Sequence, residues 1–277
     1  MQLTPKSLLA AIERDDDFAF EMAVSRNLHR LKSIRIHHGG TYSDPVERKP
    51  RQFDFRCELW DDATPDRAKF AIEVKNLSSE SPLVISGIRR PSTDSRHQWI
   101  VSDCSLGILN AAVGICSSNS RIYPAGVFTG KSLGRYGIGP RNKSGGSDLL
   151  KTSDEDIYKR WSQALASAYD LCESSARVAA GSGIKYMRTA IIPVVVVPDG
   201  TLWKIEYTDE GQRLGFPEPS NLLEFYVNHS QTIAHPAIGA PMAFTFTHLH
   251  FVTLTGLTSL MAGFGETGAY WNTWFKT

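Results

Sequence analysis

The chain has 277 residues, enough for one large domain or two small ones with a full core, and its apolar and charged fractions are those of an ordinary globular protein. A formal net charge of +1 excludes a protein that coats nucleic acid by charge alone. No apolar run approaches the ~20 residues needed to cross a bilayer, and the longest, Ala190 to Val197, contains Pro193. The first residues lack a basic stretch followed by an apolar one, and acidic residues gather at Glu13, Asp15, Asp16 and Asp17, so the expected location is cytoplasmic, with no membrane partner. Cys57, Cys104, Cys116 and Cys172 are far apart without a CxxC spacing, which predicts reduced thiols and no zinc knuckle.

Leu8, Leu9 and Ile12 at helical spacing predict a short helix over 5–14. A longer one is expected from Phe18 to Lys32, behind acidic residues that suit a helix amino terminus, with His38-Gly39-Gly40 ending the unit. The neighbouring His37 and His38 are expected to cap that helix or touch phosphate. Clean alternation over Arg51 to Leu59 predicts a half-buried strand, and Lys69 to Lys75 a second one. The polar connection containing Pro65 makes the two a hairpin. Pro82 to Ser86 is a further strand candidate.

Residues 87–150, rich in Gly, Ser and Arg, are expected to be an irregular insertion. Lys131 to Lys151, with little to bury, would be a mobile basic flap within it. Helical spacing returns through Trp161, Leu165 and Tyr169 and predicts a helix from Ser153 to about Ala180. Ile191 to Val197 is a buried strand, with Leu202 to Tyr207 its expected partner across Pro198-Asp199-Gly200. A helix at about 219–228 and a strand at about 243–253 follow. No repeat or linker divides the chain, so one α/β domain is expected over 1–277: a mixed central sheet flanked by helices, with an insertion at about 87–150.

Side chains alternate between the faces of a strand. Asp54 therefore points away from Phe53 and Phe55, while Glu73 and Lys75 share one face and Ile72 and Val74 the other. Paired strands would bring two carboxylates and an ammonium together. Mg²⁺ or Mn²⁺ takes hard oxygen ligands, one or two carboxylates with water and phosphate oxygens. Asp54 and Glu73, with the Val74 carbonyl, would supply the protein's share, and Lys75 would orient water or offset charge at phosphorus. The alternative is an exposed Glu73–Lys75 ion pair worth ~0–1 kcal/mol.

The succession of a helix Glu, then Arg51-Gln52-Phe53-Asp54, then Ile72-Glu73-Val74-Lys75 resembles the PD-(D/E)XK, or restriction-endonuclease-like, nuclease superfamily. Phe53 stands where that pattern has Pro. The resemblance covers residues 15–90 and the helix near 153–175. It implies a restriction-endonuclease-like core, metal ligation by Asp54 and Glu73, a catalytic Lys75, Glu21 as an outer or second-metal carboxylate, and Gln163 on the later helix. It further implies a metal-dependent endonuclease cleaving DNA in restriction, phage defence or repair, and a homodimer is compatible with it. Arg48, Lys49 and Arg51 before Asp54, and Lys131, Arg135, Arg141 and Lys143 in the insertion, would then meet phosphate. The alternative of another class is an inactive module of this type that binds nucleic acid or a protein.

Two rival signals weigh less. Ala125 to Ser132 resembles a loosened P-loop, but the Gly- and Pro-rich stretch after it cannot supply the helix whose amino terminus holds phosphate. His248 and His250 share a strand face without a third metal ligand at short spacing, so packed histidines are expected. Most of the scattered tryptophans, including Trp99, Trp161, Trp203, Trp271 and Trp274, are expected in the core.

Overall fold

The computed structural model describes residues 4–14, 17–44, 47–61, 64–103, 112–119, 122–138, 149–151, 154–181, 186–233, 241–265 and 270–275. The amino-terminal part comprises α1 (Pro5–Arg14), α2 (Asp17–Leu28), β1 (Ile34–His38), β2 (Thr41–Ser43), β3 (Pro50–Gln52), β4 (Phe55–Trp60) and β5 (Asp66–Val74). There follow β6 (Leu83–Arg89), a 3₁₀ turn (Ser92–Asp94), β7 (Arg96–Asp103), β8 (Ala112–Asn119), β9 (Phe128–Ile138) and β10 (Leu149–Lys151). The long α3 (Asp154–Gly181) leads to β11 (Tyr186–Val197), β12 (Leu202–Tyr207), β13 (Arg213–Pro219), β14 (Leu222–Ile233), β15 (Met242–Thr253), α4 (Leu254–Gly265) and α5 (Trp271–Trp274). No described helix is long and apolar enough to cross a membrane.

Among the described residues, thirteen strands form one mixed sheet, with the order β1-β4-β5-β11-β15-β14-β9-β6-β12-β13 along its main path. β1, β4 and β5 are an antiparallel meander; β11 then runs parallel to β5, and β15 parallel to β11. The carboxyl ends of β5, β11 and β15 therefore lie at one rim, where α/β sheets gather ligands.

β11 is an unbroken apolar run because both of its faces are covered. Ile191, Val195 and Val197 pack with Trp161, Leu165, Ala168 and Cys172 of α3. Ala190, Ile192, Val194 and Val196 pack with Val24 and Leu28 of α2 and Leu257, Met261 and Phe264 of α4. The chain is thus mixed α/β, with helices on both faces of a large sheet. Trp99, Trp161, Trp271 and Trp274 are buried, as expected. Cys57, Cys116 and Cys172 are free thiols, and Cys104 lies outside the described residues.

Several elements differ from the sequence expectation. The expected strand 51–59 is two strands, β3 and β4, broken at Phe53 and Asp54. The second helix ends at Leu28, and His37 and His38 sit on β1 instead of capping it. Most of the segment expected as a helix at 219–228 belongs to β14, which pairs with β15 along almost its whole length; alternating burial of Leu223 and Phe225 outweighs a spacing that also suits a helix. β12 does not pair with β11, whose edges are already taken by β5, β7 and β15; it pairs with β6 and β13.

The stretch 87–150 holds the end of β6, all of β7, β8 and β9 and most of β10, so its described part is mostly sheet. Gly87, Gly130 and Gly134 within it serve close approach. A Cβ on Gly130 would lie 2.4 Å from Ile85 Cγ2 and 2.8 Å from Phe225 Cδ2, so β9 fits between β6 and β14 only without a side chain there. Gly130→Ala is expected to destabilise the protein by about 1–3 kcal/mol through overpacking, read from urea denaturation. An unchanged midpoint would show that the close approach is not required.

Candidate metal centre

The chain turns sharply between β3 and β4, and the turn is set from outside. Gly40 has φ +150°, and a Cβ there would lie 2.6 Å from the Phe53 ring, so the ring seats against bare backbone. Gly39 N–H donates to the Asp54 carbonyl at 2.8 Å, and Phe53 N–H to the Gly40 carbonyl at 3.0 Å. Phe53 in turn packs with Tyr42 and Ala166, which ties the small β2–β3 sheet to α3. The β4–β5 ladder ends at Phe55 opposite Ile72. One step beyond that pair, Asp54 stands beside Glu73. The Asp54 carboxylate replaces the next rung: its Oδ2 accepts from Val74 N–H at 2.7 Å. Lys75 N–H donates across to the Val196 carbonyl at 2.8 Å, which fixes the end of β5 against β11.

Glu73 and Lys75 lie on one face, as the alternation predicts, with Lys75 Nζ 2.6 Å from Glu73 Oε1. Glu73 is only 4% exposed, so this is no surface ion pair. Burial pushes its carboxyl up to about 7, and the nearby charges of Asp54 and Glu21 act in the same direction; the Lys75 ammonium opposes them but does not win. Asp54 is also raised, by burial first, against the lowering effects of the Val74 N–H and Lys75. Two carboxylates held close with too little positive charge between them are a setting that a divalent cation relieves. One oxygen of each is already engaged, by Val74 N–H and by Lys75, so the other oxygen of each is left as a ligand. The donor set fits Mg²⁺ or Mn²⁺, which keep several waters. Among the described residues, no group of three or more His, Cys, Asp or Glu side chains is arranged to hold a metal by itself.

The remaining expected residues separate into near and far. Glu21, on α2, lies 2.7 Å from His38 Nε2 and contributes its charge to the site through space. Gln163, on α3, meets the periphery through its main-chain carbonyl, 3.4 Å from Tyr42 Oη. Arg48 and Lys49 are exposed near the tip of the β2–β3 hairpin, but Arg51 is held by Asp44 at 2.9 Å and Glu47 at 2.8 Å.

Lys131 and Arg135 do not belong to a mobile flap beside the carboxylates. Both lie on β9, four strands from β5 and hence about 19 Å across the sheet. Lys131 is paired with Asp94 and sits over the Tyr226 ring, and Arg135 donates to the Ser81 carbonyl. Arg141 and Lys143 lie outside the described residues. The P-loop-like stretch runs into β9, not into a helix. His248 and His250 are buried, and burial first, with Arg90 adding to it, lowers both. His248 stacks on Tyr123 with ring centroids 3.8 Å apart, so both are packed histidines as expected.

Two neighbours of the site escaped sequence reasoning. Arg56 follows Asp54 on the same strand face and could have been found by alternation. Tyr42, a buried phenol whose pKa burial raises and whose neighbours include Asp44 and Glu73, could not, because only the β2–β3 pairing brings it there.

Comparison with protein-family models, with curated proteins and with solved structures finds no match for the chain.

Because the Glu73 carboxyl is raised in the folded protein from 4.5 to about 7, its contribution to stability is present below pH 4.5 and lost as pH rises through 7. Glu73→Gln removes that loss. In EDTA, thermal melts should show the variant gaining on the wild type at pH 8 relative to pH 5, and an equal difference at both pH values would contradict the burial of an uncompensated carboxylate.

Proposed function

We propose that the protein is a divalent-metal-dependent nuclease that hydrolyses phosphodiester bonds of DNA, with a restriction-endonuclease-like core. The observation that carries this reading is the convergence of Asp54, Glu73 and Lys75 at the carboxyl end of β5, with Glu73 buried and in need of a cation. Asp54 and Glu73 would hold Mg²⁺ or Mn²⁺. A metal ion at such a site polarises a phosphoryl oxygen and lowers the pKa of bound water. The Lys75 ammonium, restrained by Glu73, would orient the attacking water or stabilise charge developing on the phosphoryl oxygens. In the net reaction the water oxygen bonds to phosphorus, the bond to one ester oxygen breaks, and that oxygen leaves with a proton. Arg48 and Lys49, at the tip of the hairpin that leads into Asp54, offer exposed positive charge to the backbone of the substrate.

Purified protein with Mg²⁺ or Mn²⁺ should cleave duplex or single-stranded DNA and stop when EDTA is added. Asp54→Asn, Glu73→Gln and Lys75→Ala should each reduce the rate by about 100-fold or more while leaving the protein folded by circular dichroism. Metal binding without cleavage of any DNA or RNA would replace the enzyme by a binding module of the same architecture. Cleavage that survives both carboxylate changes would place the chemistry elsewhere.

A further inference from the structure

The face of β5 that carries Glu73 continues through Ala71 to Lys69, and beyond Asp54 the neighbouring β4 carries Arg56 and Glu58 opposite Ala71 and Lys69. Over Lys69 the strands and α3 leave a cavity of about 290 Å³, whose lining includes His37, Phe53, Arg56, Glu58, Lys69 and Ser174. Lys69 has no hydrogen bond or ion pair there among the described residues. Its register partner, Glu58, is taken by Arg35 at 3.3 Å and by Arg67 at 3.0 Å. Arg56 forms a fixed wall: it donates to Asp170 at 2.7 Å and to Ser167, and its guanidinium lies 4.3 Å from the Phe53 ring centroid. Of the charged groups lining the cavity, Arg56 is thus paired with Asp170 and Glu58 with two arginines, which leaves the Lys69 ammonium without an acceptor among the described residues. Burial lowers the Lys69 amine, and Arg67 and Arg35 add to this, while Glu58 acts in the opposite direction. A partly desolvated ammonium without an acceptor, among other cations, is stabilised by an incoming anion.

We propose that this cavity is an anion site that takes a phosphate of the nucleic-acid backbone, with Lys69 as its principal ligand. The anion site stands on its own geometry, whereas its assignment to the substrate rests on the nuclease reading. Lys69 is four residues from Glu73 along β5, about 13 Å, so the phosphate held here is not the scissile one. Lys69 would bind and align the strand without touching the reacting atoms.

The test uses the full chain in EDTA, titrated calorimetrically with inorganic phosphate, which keeps it independent of the metal centre. The wild type should bind one phosphate, and Lys69→Gln should weaken binding about tenfold. Lys69→Met, which removes the charge at similar volume, should do the same and replaces Lys69→Gln if that variant does not fold. Lys6→Gln, at an exposed position on α1 away from the cavity, should bind as the wild type does. Absence of phosphate binding by the wild type, or unchanged affinity in the folded Lys69 variants, would overturn the site. In cleavage assays Lys69→Gln should raise KM with kcat nearly unchanged and flatten the salt dependence of DNA binding; unchanged KM and salt slope, with phosphate binding lost, would overturn the assignment to substrate alone.

Discussion

Val74 N–H donates to Asp54 Oδ2 where a continuing strand would have offered the Phe53 carbonyl. This exchange of a ladder hydrogen bond for a side-chain one lets β4 begin only at Phe55 while β5 runs on to Val74. The exposed ladder end is satisfied and a carboxylate is fixed beside Glu73 at the same time. A charge-assisted hydrogen bond to a backbone donor is stronger than a neutral one, so the bend is held as firmly as the strand it replaces. Phe53, freed from the sheet, fills the space over Gly40 and links the hairpin to α3.

The two ends of β5 treat a buried acid in opposite ways. Asp66, at the start, is gripped by the Arg188 guanidinium through both of its oxygens, each 2.6 Å away. Glu73, near the end, has among the described residues only the Lys75 ammonium on one oxygen. An acid kept purely for structure would be answered as Asp66 is, since an incompletely paired buried charge costs stability. Glu73 is left with charge to spare at the rim where β5, β11 and β15 terminate together, with Asp54 and Glu21 adding negative potential. That excess is what a divalent cation would remove. The Lys69 ammonium, on the same face, has the sign a phosphodiester strand requires.

The parts of this arrangement that depend on short-range periodicity were legible in the sequence. The β4–β5 hairpin, the shared face of Glu73 and Lys75, the buried run in β11 and the amphipathic α3 all follow from alternation or helical spacing. The break at Asp54 was not legible, because it depends on Gly40 making room for the ring of Phe53 and on a side chain replacing a rung. β14 read as a helix because Leu222, Leu223 and Phe225 suit either period, and its pairing with β15 decides between them. The glycines of β9 read as slack, whereas Gly130 is a contact point between strands. Lys131, taken from its basic neighbourhood, proved to be committed to Asp94, a pairing that only the tertiary fold creates.

The most direct measurement is anomalous diffraction from a crystal of the protein soaked in Mn²⁺. The account predicts one strong peak bound to a carboxylate oxygen of Asp54 and one of Glu73, each at about 2.2 Å, with Lys75 beside it. A crystal with no peak between those two carboxylates, or with Glu73 unchanged and manganese bound elsewhere, would contradict it.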